Sequence, residues 1–301
     1  MTLSLPARVG AWFALTLLLS WGVLATAKLA GLTLEGPTLL AVEVPYLLAP
    51  WVASALWKRL LVRERGPMSD GVGLRFTGAL WIGWIGPLIF LWTAAGVAHL
   101  CGWATLDLSG QHITDQVIAA GRPEDVDAAR STLAASPVPF AVDVSFQGLI
   151  AGLLFSPIWY PEEVAWRGVL HGELRRLGFW NAAWMGGLLW GIWRAPLLIA
   201  GGFLPGDVTT STLLLIAGSI PVGALLAWLR ETGGSVWPST LAVSVLAMVG
   251  AFDQVVLAGG TPETTSPLGA AGALTALVLV GVLFGLTPRG PRVPVDEPVL
   301  A

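Results

Sequence analysis

Residues 208–229 read VTTSTLLLIAGSIPVGALLAWL and carry no charged side chain. A helix needs about 20 consecutive, mostly apolar residues to cross the hydrocarbon core of a bilayer. This stretch meets that requirement in both length and composition, and charges return on either side of it, at Asp207 and Arg230. The pattern predicts a transmembrane helix.

Seven other stretches share this character. Each is long and apolar and holds at most one charge: 9–27, 37–57, 76–98, 144–161, 179–203, 232–252 and 264–288. The whole chain agrees, because 55% of its 301 residues are hydrophobic and only 12% are charged, whereas soluble domains carry about 25% charged residues. The sequence therefore predicts an all-α, polytopic integral membrane protein with about eight transmembrane helices in a single domain, 1–287.

The first of these stretches has a second interpretation, as a signal peptide. Ala25-Thr26-Ala27 has the A-x-A form of a cleavage site, and Arg8 is a suitable preceding charge. The apolar run is nevertheless longer than the roughly 7–15 residues usual in a signal peptide. We favour a retained helix, and cleavage would leave the other helices in the same orientation.

The basic residues are distributed unevenly between the connecting segments. With the N-terminus in the cytoplasm, twelve of the sixteen Lys and Arg residues fall inside, three fall outside, and Arg194 lies within a span. The positive-inside rule favours this orientation. It predicts a multi-pass protein of the cell membrane with both termini cytoplasmic. The segment 104–138 is then an extracytoplasmic loop with one short helix at 123–134, and 288–301 is a disordered cytoplasmic tail.

Composition also excludes two classes of function. The net charge of −3 provides no basic surface for nucleic acid. The single cysteine, Cys101, excludes a disulfide framework and a thiolate metal cluster. Membrane lipids are the partners that the composition does imply.

One polar segment interrupts the apolar pattern, and residues 157–178 read PIWYPEEVAWRGVLHGELRRLG. Pro161 suits the first position of a helix, and Gly178 suits the position after its last turn. We therefore expect a helix over 161–177. Its acidic start and basic end would both complement the helix dipole.

Within this helix, Glu163, Arg167 and His171 follow each other at i,i+4 spacing and share one stripe. Glu162 lies about 100° away around the axis and can face a different environment. An ordinary interfacial helix would explain these charges without any functional site. Two adjacent carboxylates are costly when they are buried beside an apolar run, however, so Glu162 and Glu163 are candidate functional residues.

At this point the residues resemble a known family. Residues 162–168, EEVAWRG, resemble the E-E-x-x-x-R-G motif of the CPBP family, the CAAX prenyl-protease and bacteriocin-processing-like intramembrane proteases. Residues 187–197, GLLWGIWRAPL, resemble its second motif, and 234–241, GSVWPSTL, the approach to its third. Residues 71–75, GVGLR, look like the segment that often precedes the family core. The similarity spans roughly 65–255.

The resemblance implies intramembrane endoproteolysis by a glutamate-activated water. Glu162 would be the general base, with Glu163 and Arg167 as its supports. In the family, one His in the second motif and one in the third complete the metal or catalytic site, with an Asn one turn later. The family's activities imply prenylated C-termini as substrates for some members, and peptide maturation or bacteriocin self-immunity for bacterial members.

This sequence departs from the pattern at all three completing positions. The two His positions fall on Arg194 and Val243, and the Asn position falls on Ala247. A catalytic zinc needs about three protein ligands. Arginine has no acceptor lone pair, and a valine side chain has no ligating atom. We therefore expect no cofactor, and zinc only if the family chemistry survives with other ligands.

The three histidines of the chain do not repair this departure. His99 and His112 lie near or in the outside loop, on the opposite side from Glu162 in the predicted topology. His171 lies about 13 Å along the helix from Glu162. A rescued metal site is therefore not the favoured interpretation.

Arg194 needs a partner, because an unpaired arginine within a span is costly. Glu162 or Glu163 is the expected one, and a guanidinium–carboxylate pair would replace what a cation does in the family. The alternative is that Arg194 snorkels to an interface. Three further acids lie in or near the spans and either line the same cavity or sit at span ends: Glu43, Asp143 and Asp253.

Three functions remain open at this stage. The first is a pseudoprotease of the CPBP type that has lost hydrolysis and binds a membrane peptide, a lipid-like ligand or a partner protein. The second is an active intramembrane endopeptidase that uses Glu162 with unusual ligands. The third is a transporter or scaffold whose acidic cluster only resembles the motif. The missing histidines favour the first over the second, and the matched segments favour either over the third.

Overall fold

The computed structural model describes most of the chain, namely residues 4–34, 36–62, 71–119, 125–135, 139–201, 207–250 and 252–291. These residues form helices and one two-stranded antiparallel sheet. In chain order the elements are α1 (Leu5–Leu29), α2 (Gly36–Leu56), α3 (Gly78–Leu100), β1 (Thr105–Leu106), α4 (Gln111–Ala119), α5 (Val126–Ala135), α6 (Phe140–Glu163), α7 (His171–Leu174), α8 (Phe179–Ala200), α9 (Val208–Gly233), α10 (Trp237–Met248), α11 (Phe252–Val256), β2 (Leu257–Ala258), α12 (Pro262–Thr265) and α13 (Ala270–Leu286).

The predicted all-α, polytopic membrane fold is confirmed. Among the described residues, six helical stretches are both long and apolar enough to cross a bilayer: Leu5–Leu29, Thr38–Val62, Gly78–Leu100, Phe140–Leu177, Val208–Gly233 and Pro262–Leu286. The other two predicted spans also form helices, α8 and α10. Helix α8 has 22 residues but carries a charge, and α10 has only 12 residues, about 18 Å of helix.

The helix in the predicted span 232–252 is shorter than the span, because the first residues of the span belong to the end of α9 and to the turn that follows it. Gly234 adopts a left-handed φ of 59° and ends α9. The Val236 amide then donates to the Gly71 carbonyl at 2.8 Å, just before α3 begins. At the other end β2 pairs with β1, which follows α3. The segment from α10 to β2 therefore covers the same distance as α3, although only part of it is helical.

The segment 104–138 contains more structure than the single helix predicted at 123–134. It holds β1, α4 and α5, and only α5 overlaps the predicted helix. Asp107 organises this segment. Burial acts to raise the pKa of Asp107, but the hydrogen bonds donated by Ser109 and His112 outweigh it and hold that pKa below its usual range. His112 Nδ1 lies 2.6 Å from Asp107 Oδ2, and His112 Nε2 lies 2.9 Å from the Gln254 carbonyl oxygen. The second contact connects the segment to α11.

The predicted disordered tail, 288–301, lies largely outside the described residues. Its described part makes a turn at Gly290, where φ is 87° and the backbone approaches Phe179 of α8. The end of α13 is therefore anchored beside the start of α8.

Close contact between α8 and α9 positions the second motif. A Cβ atom on Gly187 would lie 2.5 Å from the Ile220 carbonyl oxygen, and one on Gly223 would lie 2.4 Å from the Gly187 Cα atom. Small residues at such an interface let helix backbones approach in a membrane. This approach brings the face of α8 that carries Trp190 and Arg194 into the bundle.

We expect Gly187→Val to destabilise the protein by about 1–3 kcal/mol, because the added atoms meet backbone that has no room to yield. Gly186→Val is the matched control, since a Cβ atom there meets nothing within 4 Å. The free energy of unfolding in detergent micelles measures both. Equal stability of the two variants would contradict the close α8–α9 contact.

Candidate functional site

The segment that carries the two glutamates is part of one long helix. The predicted helix start at Pro161 is wrong, because α6 runs through Pro161 and continues as a π-helical turn, Val164–Leu170, into α7. A proline is tolerated inside an apolar membrane helix where neighbouring groups satisfy the freed backbone. The predicted end is right: Gly178 has a φ of 87° and donates its amide to the Arg175 carbonyl.

Glu162 is enclosed and fully engaged. Arg194 Nη1 lies 3.3 Å from its Oε1 atom and 3.2 Å from its Oε2 atom. Trp190 Nε1 donates to Oε1 at 2.8 Å. The side chain of Glu162 is 0% exposed. The expected partnership of Arg194 with one of the two glutamates is therefore present, with Glu162, and Arg194 does not snorkel to an interface.

This ion pair lies near mid-depth in the bundle. Tyr46, halfway along α2, donates its hydroxyl to the backbone carbonyl of Trp193, the neighbour of Arg194. Trp193 Nε1 in turn donates to Ser20 Oγ of α1 at 2.7 Å. Ser20 is also far from either end of its helix. Two helices, α1 and α2, thus hold α8 in place at the level of the guanidinium.

Glu163 forms a second ion pair on the same long helix. Arg167 Nη1 donates to Glu163 Oε1 at 2.6 Å, and both side chains are buried. The π-helical turn that begins at Val164 keeps these i,i+4 residues on one face while Glu162 faces α8. The two adjacent glutamates therefore have separate arginine partners.

Trp190 joins the two pairs. The Arg167 guanidinium carbon lies 4.8 Å from the centroid of its ring, and that of Arg194 lies 5.5 Å from it. Arg194 also lies 5.2 Å from the Trp159 ring. Aromatic faces attract cations, more strongly where water is excluded. The sequence did not lead us to this role of Trp190, although its place in the second motif, four residues before Arg194, was a usable signal.

His171 is committed to a different cluster. Its Nε2 atom lies 3.1 Å from Glu231 Oε1, and Arg175 donates to both oxygens of Glu231 at 3.0 and 3.2 Å. His171 continues the stripe of Glu163 and Arg167, as its spacing predicted, but its partner is α9. This cluster holds the end of the long helix against α9.

The three further acids lie in different places. Glu43 of α2 is half-buried and interacts electrostatically with Arg194 and Glu162. Asp143 accepts a hydrogen bond from Gln147 in the first turns of α6. Asp253 of α11 accepts one from Thr265. Of the three, Glu43 is the one brought to the site.

Two of the three positions that would complete a metal site are apolar. Val243 lies on α10, 4% exposed within the hydrophobic core, and Ala247 packs against the same core. Within the described ranges, no group of three or more His, Cys, Asp or Glu side chains is arranged to hold a metal ion. The donor set at Glu162, with Arg194 in place of a ligand, does not fit zinc.

Part of the chain matches the model of a known protein family. Residues 142–249 match the model of the Rce1-like family, which is described as type II CAAX prenyl endopeptidase Rce1-like. The matched segment runs from α6 to the end of α10 and contains both ion pairs. No curated protein matches the chain.

Proposed function

We propose that Arg194 has closed the active site of a CAAX-protease-like membrane protein, and the match of residues 142–249 to the model of the Rce1-like family of type II CAAX prenyl endopeptidases supports this assignment. The protein then no longer hydrolyses peptides and instead binds a membrane peptide, a lipid-like ligand or a partner protein. Membrane lipids surround it in either case.

The engagement of Glu162 carries this proposal. A general base must reach a water molecule and accept its proton. Both oxygens of Glu162 face Arg194, one also faces Trp190, and the carboxylate is enclosed by protein. The guanidinium is always charged and competes with water for this carboxylate. Glu162 is then not available as a general base.

The chemistry of the surrounding residues supports the same conclusion. Activation of water in the family also needs the completing histidines, and Arg194, Val243 and Ala247 supply neither a metal ligand nor a second base. We therefore propose that the protein works without a metal cofactor.

Ligand binding is supported by what remains open at the site. The Arg194 side chain keeps 12% of its surface exposed, and Glu43 beside it is half-buried. Partly exposed charges at mid-depth are costly against lipid. A polar group of a bound molecule would remove that cost.

Two measurements on purified protein in nanodiscs test the loss of hydrolysis. We expect substoichiometric zinc by elemental analysis, and no cleavage of prenylated or unprenylated peptides by mass spectrometry. Arg194→His should stay inactive, because Val243 still lacks a ligating atom. One zinc per chain that is lost in Glu162→Ala, or cleavage that is lost in Glu162→Gln, would contradict the proposal.

An active endopeptidase is the second candidate. It is favoured by one observation, that Glu162, Glu163 and Arg167 are all retained and lie together on one helix. The cleavage assay separates the two candidates, because an active enzyme requires Arg194 to leave Glu162 when substrate binds.

We also propose that the cell membrane holds the protein with both termini in the cytoplasm and the segment 104–138 outside. Ser131→Cys and Gly172→Cys test this in a Cys101→Ser background, since both positions are exposed at opposite ends of the bundle. A membrane-impermeant thiol reagent added to intact cells should label Ser131→Cys only. Labelling of Gly172→Cys alone would show that the orientation is the opposite of the proposed one.

A further inference from the structure

Two arginines are exposed at one corner of the bundle, where the long helix ends and α8 begins. Arg176 lies in the turn Arg175–Leu177 between these helices, and 62% of its side chain is exposed. Arg289 follows α13 and is also exposed. The next residue, Gly290, brings this backbone against α8, because a Cβ atom on Gly290 would lie 2.4 Å from the Phe179 Cβ atom. Phe179 is the first residue of α8 and comes three residues after Arg176, so the two arginines share one corner.

Two carboxylates beside this corner are already engaged by other arginines. Glu173 Oε1 accepts a hydrogen bond from Arg8 Nη2 at 2.6 Å, whereas Arg176 approaches Glu173 Oε2 only to 3.9 Å. Glu231 is buried and pairs with Arg175. An ion pair as long as that of Arg176 contributes little when its cation is exposed to water. The described residues of the corner therefore present positive charge outward.

Aromatic rings lie next to the two arginines, on the side of the membrane core. The Trp180 ring centroid lies 5.4 Å from that of Phe284 and 6.4 Å from that of Trp184. Trp180 Nε1 also donates to the Thr287 carbonyl at 3.0 Å, which holds the end of α13 against the start of α8. Phe284 is 50% exposed and Trp184 is partly exposed. Both rings lie farther from the ends of their helices than the arginines do, and this is the direction of the hydrocarbon core.

Exposed cations beside exposed rings at a membrane surface match an anionic phospholipid. A guanidinium donates hydrogen bonds to phosphate oxygens in a planar fork, and acyl chains can cover the rings. A free phosphate ion would use the arginines but would leave Phe284 uncovered. We propose that the corner formed by Arg176, Arg289, Trp184 and Phe284 binds one anionic phospholipid, with its headgroup on the arginines and an acyl chain along the rings.

This lipid site goes beyond the proposed function and does not depend on it. The corner lies at one end of the bundle, whereas Arg194 and Glu162 form their pair near mid-depth. Cleavage of peptides by the protein would leave the lipid site unchanged, and loss of the lipid site would leave the closure of Glu162 unchanged. The site is also the same for either orientation in the membrane.

Native mass spectrometry of the full-length protein measures its affinity for phosphatidylglycerol and for phosphatidylcholine with the same acyl chains. We expect phosphatidylglycerol to bind more tightly. Arg176→Gln and Arg289→Gln should each weaken its binding about fivefold, because one basic residue near an anionic surface contributes about 1 kcal/mol. Arg59→Gln is the matched control, since Arg59 is an exposed arginine at the same end of the bundle, on the π-helical turn Trp57–Val62 after α2. It should leave the affinity unchanged.

A phosphatidylglycerol with a diazirine in one acyl chain locates the bound lipid, and this measurement needs no variant to fold. We expect labelled peptides from residues 177–184 and 281–289. Glycerol phosphate, which has the headgroup phosphate without the chains, should not compete. Competition by glycerol phosphate, equal affinity for phosphatidylcholine, an equal loss in Arg59→Gln, or labelling spread evenly over the bundle would each overturn the inference.

Discussion

Arg194→Ala is expected to destabilise the protein by about 3–5 kcal/mol, because it strands the enclosed carboxylate of Glu162. The lost contacts with the Trp159 and Trp190 rings add to this cost. Glu162→Gln should also be destabilising, since it leaves a guanidinium near mid-depth without its counter-charge. The free energy of unfolding in nanodiscs or mild detergent measures both effects.

The double-mutant cycle is the sharper measurement. Arg194→Ala combined with Glu162→Gln should cost less than the sum of the two single variants, because neither charge is then stranded. Arg130→Ala is the control, since this exposed residue of α5 should change stability by no more than about 0.5 kcal/mol. If Arg194→Ala unfolds like wild type and the cycle shows no coupling, the ion pair does not close the site.

Arg167→Met is expected to have an effect of similar size, about 3–5 kcal/mol, because Glu163 is then the stranded charge. Methionine keeps much of the apolar bulk against Trp190, so the loss reports mainly on charge. Glu163→Gln in the same chain should restore part of the stability. Arg176→Met is the matched control, with 62% of its side chain exposed, and no recovery in the double variant would show that the pair is not a unit.

Much of the fold could be predicted from the sequence because uncharged runs report directly on the apolar environment of a membrane. Helix α9 is the clearest case, since the length and composition of its apolar run are sufficient to specify a spanning helix. Helix α10 shows the limit. The predicted span 232–252 is equally uncharged. The length of α10, however, is set by the left-handed turn at Gly234 and by the non-helical backbone at Val249. Amino-acid composition predicts neither of these two helix ends.

The site was predictable to the extent that charge balance dictates pairing. An arginine within a span requires a carboxylate, and this requirement alone led to Glu162 or Glu163. Which of the two pairs with Arg194 depends on how the long helix is rotated against α8, because the two side chains point about 100° apart around its axis. Tyr46 and Trp190 were missed because aromatic residues are common throughout these spans, so their type carries little information about contact.

The long helix that starts at Phe140 has a mechanical consequence. From there to Leu177 it holds 38 residues, or about 57 Å of helix, while the hydrocarbon core is about 30 Å thick. A helix longer than the core is thick must tilt, or its polar ends must protrude from the core. Because this rod carries the carboxylates while α8 carries Arg194, a change of tilt in a thinner or thicker bilayer moves the two halves of the ion pair relative to each other. Lipid chain length thereby becomes a physical variable that acts on the site from outside the protein.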